Sequence, residues 1–135
     1  MHQGIEEVHS SLKRCNSDSR FMEIFYEHFL GASPEIPALF EGTDMTRQRR
    51  AVEASLYLSI LAADQVPYAI HTLERLGEQH RALGIRPALY GLWLESLIAT
   101  VAACDEAFDE HVEAAWRAVL QESLQRVLSP YEIAE

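Results

Sequence analysis

The 135-residue chain is poor in cysteine: Cys15 and Cys104 are far apart in the sequence and outside any Cys-x-x-Cys. That excludes a disulfide framework and a zinc ribbon, and predicts two reduced thiols in a cytosolic protein. With five Pro and six Gly, the chain is neither collagenous nor of low complexity. No apolar run reaches the 18 or so residues of a membrane span. The N-terminal MHQGIEEVHSS has no apolar stretch of the kind a secretory signal needs. The expectation is a soluble, cytoplasmic protein with no membrane partner. Basic residues are also scarce, 11 Lys and Arg against 21 Asp and Glu, for a net charge of −10. Such a surface repels phosphate backbones and anionic lipid, so no nucleic-acid partner is expected. Nucleotide loops, His-Glu-x-x-His and Gly-x-Ser-x-Gly are all absent.

What the chain has is apolar residues at helical spacing. Hydrophobic residues make up 48% and charged residues 24%, enough for one domain over residues 1–135 that buries roughly two-thirds of its unfolded surface. The pattern predicts helices over 4–14, 17–31, 34–40, 45–63, 67–81, 87–103 and 107–128. Ser33-Pro34-Glu35, Val66-Pro67 and Arg86-Pro87 read as helix starts, Asp44 and Asp105 as caps, and Pro130 as the end of the last helix. Val112, Ala115, Trp116, Val119, Leu120, Ser123, Leu124 and Val127 form one apolar stripe. Tyr90, Trp93, Leu94, Leu97, Ile98 and Val101 form another. The segment AVEASLYLSILAA is apolar almost all round and is expected to lie deep inside. No strand pattern is present. The fold class is all-α, with six or seven helices too unequal in length for a simple four-helix bundle. Composition and periodicity go no further, and none of the six histidines stands out by itself.

The segment FYEHFLGASPEIPALF at 25–40 resembles helices B to C of bacterial single-domain globins and of the globin part of flavohaemoglobins. DMTRQRRAVEASL at 44–56 resembles the start of their helix E. LERLGEQHRALGIRPALYGLWLESL at 73–97 resembles their helix F, the following corner and helix G. A weaker match runs into AAWRAVLQESL. Phe40 follows Tyr26 by 14 residues, His80 follows Gln48 by 32, and Tyr90 follows His80 by 10, in keeping with the family pattern.

The resemblance implies a globin fold around a haem pocket, with His80 as the iron ligand. A neutral imidazole suits iron, and its second N–H needs an acceptor that orients the ring; a carbonyl near Leu76 is expected to serve. It implies that Phe40 packs on the porphyrin, and that Tyr26 and Gln48 are distal donors to a bound gas. Val52, one turn after Gln48, limits the space above the iron. Ile85, Tyr90 and Leu76 complete the pocket, with Trp93 as a further candidate for its proximal side. Arg47, in the basic run with Arg49 and Arg50, or Arg81, is offered to a haem propionate. With no Cys-x-x-Cys-His, the cofactor is haem b.

Three departures matter. The Phe40–Gln48 connection is two residues shorter than in typical members. The length leaves no room for a flavin-binding domain. Where flavohaemoglobins have a Glu that partners the proximal histidine through Tyr90, this chain has Tyr131, so strong imidazolate character is not expected. The reading is reversible binding of O2, and of NO or CO, for storage or delivery, by a monomer or homodimer. The alternatives are NO dioxygenation with a separate reductase, and gas sensing through a partner surface.

Overall fold

The computed structural model describes residues 4–133. Seven helices follow one another: α1 (Ile5–Asn16), α2 (Phe21–Leu30), α3 (Glu35–Leu39), α4 (Met45–Ala63), α5 (Pro67–Ala82), α6 (Ala88–Cys104) and α7 (Glu110–Ile133). The described residues contain no strand. Several boundaries follow the residues that predicted them. The Asp44 carboxylate accepts from the Thr46 and Arg47 N–H groups at 3.1 and 3.3 Å and so starts α4. Pro67 opens α5, where its missing N–H costs nothing.

Three expectations are corrected. The helix containing AVEASLYLSILAA is not buried all round. Val52, Leu56, Ser59, Ile60, Ala62 and Ala63 face inward, while Tyr57 and Leu61 are each 43% exposed. Apolar residues here exceed the area that one packed helix face can cover. Asp105 does not cap the last helix. That role falls to Asp109, whose carboxylate accepts from the Val112 N–H at 2.9 Å. Nor does Pro130 end α7, which runs on to Ile133. A proline leaves the carbonyl four residues earlier without its donor. Here that carbonyl is Arg126's, and the Ser129 hydroxyl donates to it at 2.8 Å.

Asp105 instead sits at the centre of a buried polar network. It accepts from Arg14 Nε at 2.5 Å and Nη2 at 3.0 Å, from the Ser11 hydroxyl at 2.6 Å and from the Ala107 N–H at 2.9 Å. The Trp116 indole donates to Ser11 at 2.8 Å. This ties α1, the α6–α7 turn and α7 together. Burial opposes ionisation of Asp105, but these donors outweigh it and hold the carboxyl below its ordinary 3.8. Both cysteines are free. Burial pushes the Cys15 thiol up to about 12, with Asp105 and Cys104 adding to the rise.

The main core joins α1, α2, α4, α6 and α7 around Phe25, Leu56, Leu97 and Trp116. A smaller one, of Ala62, Ala69, Leu73, Tyr90 and Val127, holds α5 against its neighbours. The α5–α7 approach is very close. A Cβ on Gly77 would lie 1.9 Å from the Val127 carbonyl oxygen, so only glycine allows the two backbones to meet. At the other end of α5, Gly84 (φ +80°) closes the helix in the left-handed conformation. Its N–H donates to the Arg81 carbonyl at 3.0 Å, and the Ile85 N–H to the His80 carbonyl at 3.0 Å.

Gly77→Ala raises intrinsic helix propensity by about 1 kcal/mol, yet overpacking costs typically 1–3 kcal/mol or more. A lower thermal midpoint by calorimetry is therefore expected. Asp105→Asn removes one partner of a buried ion pair, a change worth about 3 kcal/mol where Arg14 is partly exposed. Asp105 has a lowered folded pKa, so its stabilisation is present above pH 3.8 and is lost as pH falls through that lowered value. Acid titration of unfolding checks this, with a shallower decline expected in Asp105→Asn.

Candidate functional site

A cavity of about 340 Å³ lies between α2, α4, α5, α6 and α7, with Phe40 at its edge. Tyr26, Phe40, Gln48, Val52, Leu76, His80, Ile85 and Tyr90, eight residues singled out in the sequence, all line it. Arg47 and Arg81 do not. Arg47 is exposed, and Arg81, also exposed, pairs with Glu78 at 2.7 Å.

On the α2–α4 side the wall is aromatic. Tyr26 meets Phe25 edge-on at 5.0 Å and Phe40 edge-on at 5.8 Å, and Phe29 meets Phe40 at 6.2 Å. The Asp44 cap fixes the first turn of α4, where the Gln48 N–H donates to the Asp44 carbonyl at 3.0 Å. Gln48 and, one turn on, Val52 then face the cavity. The Tyr26 hydroxyl is buried and has no hydrogen-bond partner. Burial raises its pKa, while the Gln48 amide and the Arg49 charge oppose the rise. Gln48 is therefore close by, though its geometry closes no hydrogen bond. Arg49 Nε is likewise buried and unpartnered.

On the α5–α6 side stands His80, half-buried. Its Nδ1 lies 2.8 Å from the Tyr90 hydroxyl, with the rings stacked at 6.0 Å and 30°. The expected partner, a carbonyl near Leu76, is thereby corrected. The ring turns toward α6 instead, where the Tyr90 hydroxyl stands within reach of Nδ1. Leu76 still lines the cavity. Tyr90 in turn lies 3.4 Å from the Tyr131 hydroxyl, which donates to the Ile85 carbonyl at 2.7 Å. His80 Nε2 has no hydrogen bond among the described residues. Burial lowers the pKa of His80 from 6.5, which favours the neutral imidazole that binds metals.

The sequence reading missed Phe29, Leu73, Leu89, Ser55, Ser59 and Ser123 in the wall. The Ser59 hydroxyl donates to the Ser55 carbonyl at 2.8 Å and meets the Ser123 hydroxyl at 2.8 Å. The signal was there: small polar residues four apart in an otherwise apolar helix.

This seven-helix fold around a His-bearing apolar cavity is that of a haemoglobin-like protein. The Globin family model matches residues 23–127. A flavohemoprotein of Halalkalibacterium halodurans is 30% identical over 97 residues, 69% of this chain. The matched part is 23% of that longer protein. A crystal structure from Pseudomonas aeruginosa PAO1, described as structurally highly homologous to a human hemoglobin, superposes with a TM-score of 0.90 at 37% identity. The match covers 96% of this chain and 98% of that one.

The chain belongs to the globin family, and family membership implies haem binding. The residues present fit such a group. The cavity offers apolar and aromatic walls, an imidazole with one nitrogen tied and the other free, and a buried hydroxyl lacking a partner.

A buried hydroxyl without a partner costs about 1–3 kcal/mol. In the haem-free chain, Tyr26→Phe is expected to raise the thermal midpoint by a few degrees, read by circular dichroism. The lowered folded pKa of His80 makes the neutral ring's stabilisation present above pH 6.5 and lost as pH falls below it. Replacing His80 with Gln is expected to flatten that part of the stability profile, measured by denaturant unfolding between pH 7 and pH 5.

Proposed function

We propose that this single-domain globin binds O2 reversibly for storage or delivery in the cytoplasm, through a haem b held by His80. One observation carries the reading. A single cavity contains both an orientated imidazole, His80, and a hydroxyl with no protein partner, Tyr26. Haem, when bound, would supply an iron that a histidine can hold and that binds small gases. Within the chain, His80 offers Nε2 as the ligand while Tyr90 holds its Nδ1 side. Tyr26 and Gln48 donate hydrogen bonds to a partly negative diatomic guest, and Val52 limits its size. Phe40 braces Tyr26 edge-on and supplies an aromatic face for the macrocycle. Arg47 and Arg81, near the starts and ends of α4 and α5, are the cations offered to the propionates; Arg81 exchanges Glu78 for that role.

The second reading is NO dioxygenation with a separate reductase, and similarity to a flavohemoprotein favours it. The proximal chain favours the carrier. It ends on a backbone carbonyl, not a carboxylate, so the imidazole receives little of the added electron density that supports oxygen activation. Coupling to a reductase, with nitrate formed from NO and O2, separates the two.

The test is a visible absorption spectrum of the haem-loaded protein, reduced and exposed to O2 and CO. His80→Ala is expected to abolish the histidine-ligated Soret band. Each hydrogen bond to a charged acceptor is worth about 1.5–3 kcal/mol. Tyr26→Phe is therefore expected to speed O2 release about 10- to 100-fold in stopped flow. No haem uptake by the unmodified protein would refute the proposal.

A further inference from the structure

Among the described residues, two buried side-chain atoms lack a hydrogen-bond partner: the Tyr26 hydroxyl and Arg49 Nε. Both belong to one end of the cavity. Arg49 follows Gln48 directly and stands three positions before Val52. Residues three apart on a helix are neighbours, so Arg49 flanks the strip of α4 that faces the cavity. Its charge reaches Tyr26, where it opposes the rise that burial imposes on the phenol. Arg49 forms no ion pair among the described residues. Nor does the cavity wall contain an Asp, Glu, Lys or Arg there, so nothing in it offsets that charge.

The polar groups at this end ask for one kind of guest. The Tyr26 O–H and the Gln48 amide can donate, and a guanidinium does nothing else. An acceptor suits all three. Hydrogen bonds to an ionised acceptor are stronger than neutral ones, and a nearby charge counts for more where water is scarce. We propose that Arg49 is a specificity-determining residue of the cavity: its guanidinium makes the Tyr26–Gln48 end selective for a small monovalent anion over a neutral diatomic gas. The proposal rests on the reading above, in which the guest is held beside Tyr26 when haem is bound. A neutral guest gains little from the charge, a partly negative one gains more, and a full anion gains most. That grading separates Arg49 from Tyr26 and Gln48, whose hydrogen bonds serve any acceptor.

The test compares Arg49→Met, Arg49→Gln and Arg49→Lys with the unmodified full chain, loaded with haem. Azide is the anionic probe of the ferric protein, and O2 and CO are the gases offered to the ferrous one. In the two neutral variants azide affinity is expected to fall about 10-fold, O2 release to quicken by a smaller factor, and CO affinity to stay within about twofold. Arg49→Lys keeps the charge and is expected to restore most of the azide affinity. A second readout needs no haem. With difluorotyrosine, a more acidic phenol, at position 26, fluorine NMR follows ionisation of that ring in the haem-free chain. Ionisation is expected at higher pH in Arg49→Met and Arg49→Gln, and near the unmodified value in Arg49→Lys. Unchanged azide affinity in both neutral variants overturns the proposal. So does an equal loss for azide and CO, which marks a structural role. Faster haem loss with azide affinity unchanged assigns Arg49 to a propionate and overturns it as well. No CO uptake by the unmodified protein refutes the haem reading instead. The fluorine titration then decides the matter by itself, and an unmoved ring overturns the role of Arg49.

Discussion

The backbone contact between α5 and α7 at Gly77 sets the spacing of two helices that wall the cavity. Gly77 lies one turn before His80. Pressing that turn against the Val127 carbonyl fixes how far α5 stands from α7. That distance decides whether residues late in α7 can reach the corner after α5. Apolar burial supplies the driving force, through Leu73, Ala69 and Val127 in the smaller core. The glycine supplies the geometry. A mid-helix glycine ordinarily weakens a helix, and here the loss is offset by the packing that it permits.

The distal wall follows a different logic. Its aromatic rings pack edge to face, yet Tyr26 keeps a buried hydroxyl without a partner. Native structures rarely leave such groups unsatisfied. An unsatisfied donor in an apolar cavity is a stored preference for a polar guest, and it lowers the stability of the empty protein by the same amount. The serines in the wall show the contrast: the Ser59 proton goes to the Ser55 carbonyl and the Ser123 hydroxyl lies against Ser59.

Much of the fold was legible because local chemistry and packing agree. Asp44 caps α4, Pro67 opens α5, and the α7 stripe is buried nearly as its spacing predicts. The candidate site was legible only through resemblance. Periodicity says that Tyr26, Gln48 and His80 are helical, and nothing in it says that they face one cavity. What escaped the sequence depends on distant pairings. Asp105 reads as a cap until Arg14, more than ninety residues away, surrounds it with donors. Pro130 reads as a stop until Ser129 repairs the broken turn. The partner of His80 reads as a local carbonyl because Tyr90 approaches from another helix.

That repaired turn has a consequence for the His80 side of the cavity. Helix ends open at lower free energy than helix centres, and the turn containing Tyr131 lacks one of its backbone bonds. Each fraying event detaches Tyr131 from Ile85 and releases the far end of the line that reaches His80. Opening of this turn therefore loosens what stands behind the imidazole while the core stays folded. The support of the ring is thus graded by a local opening that is separate from global unfolding.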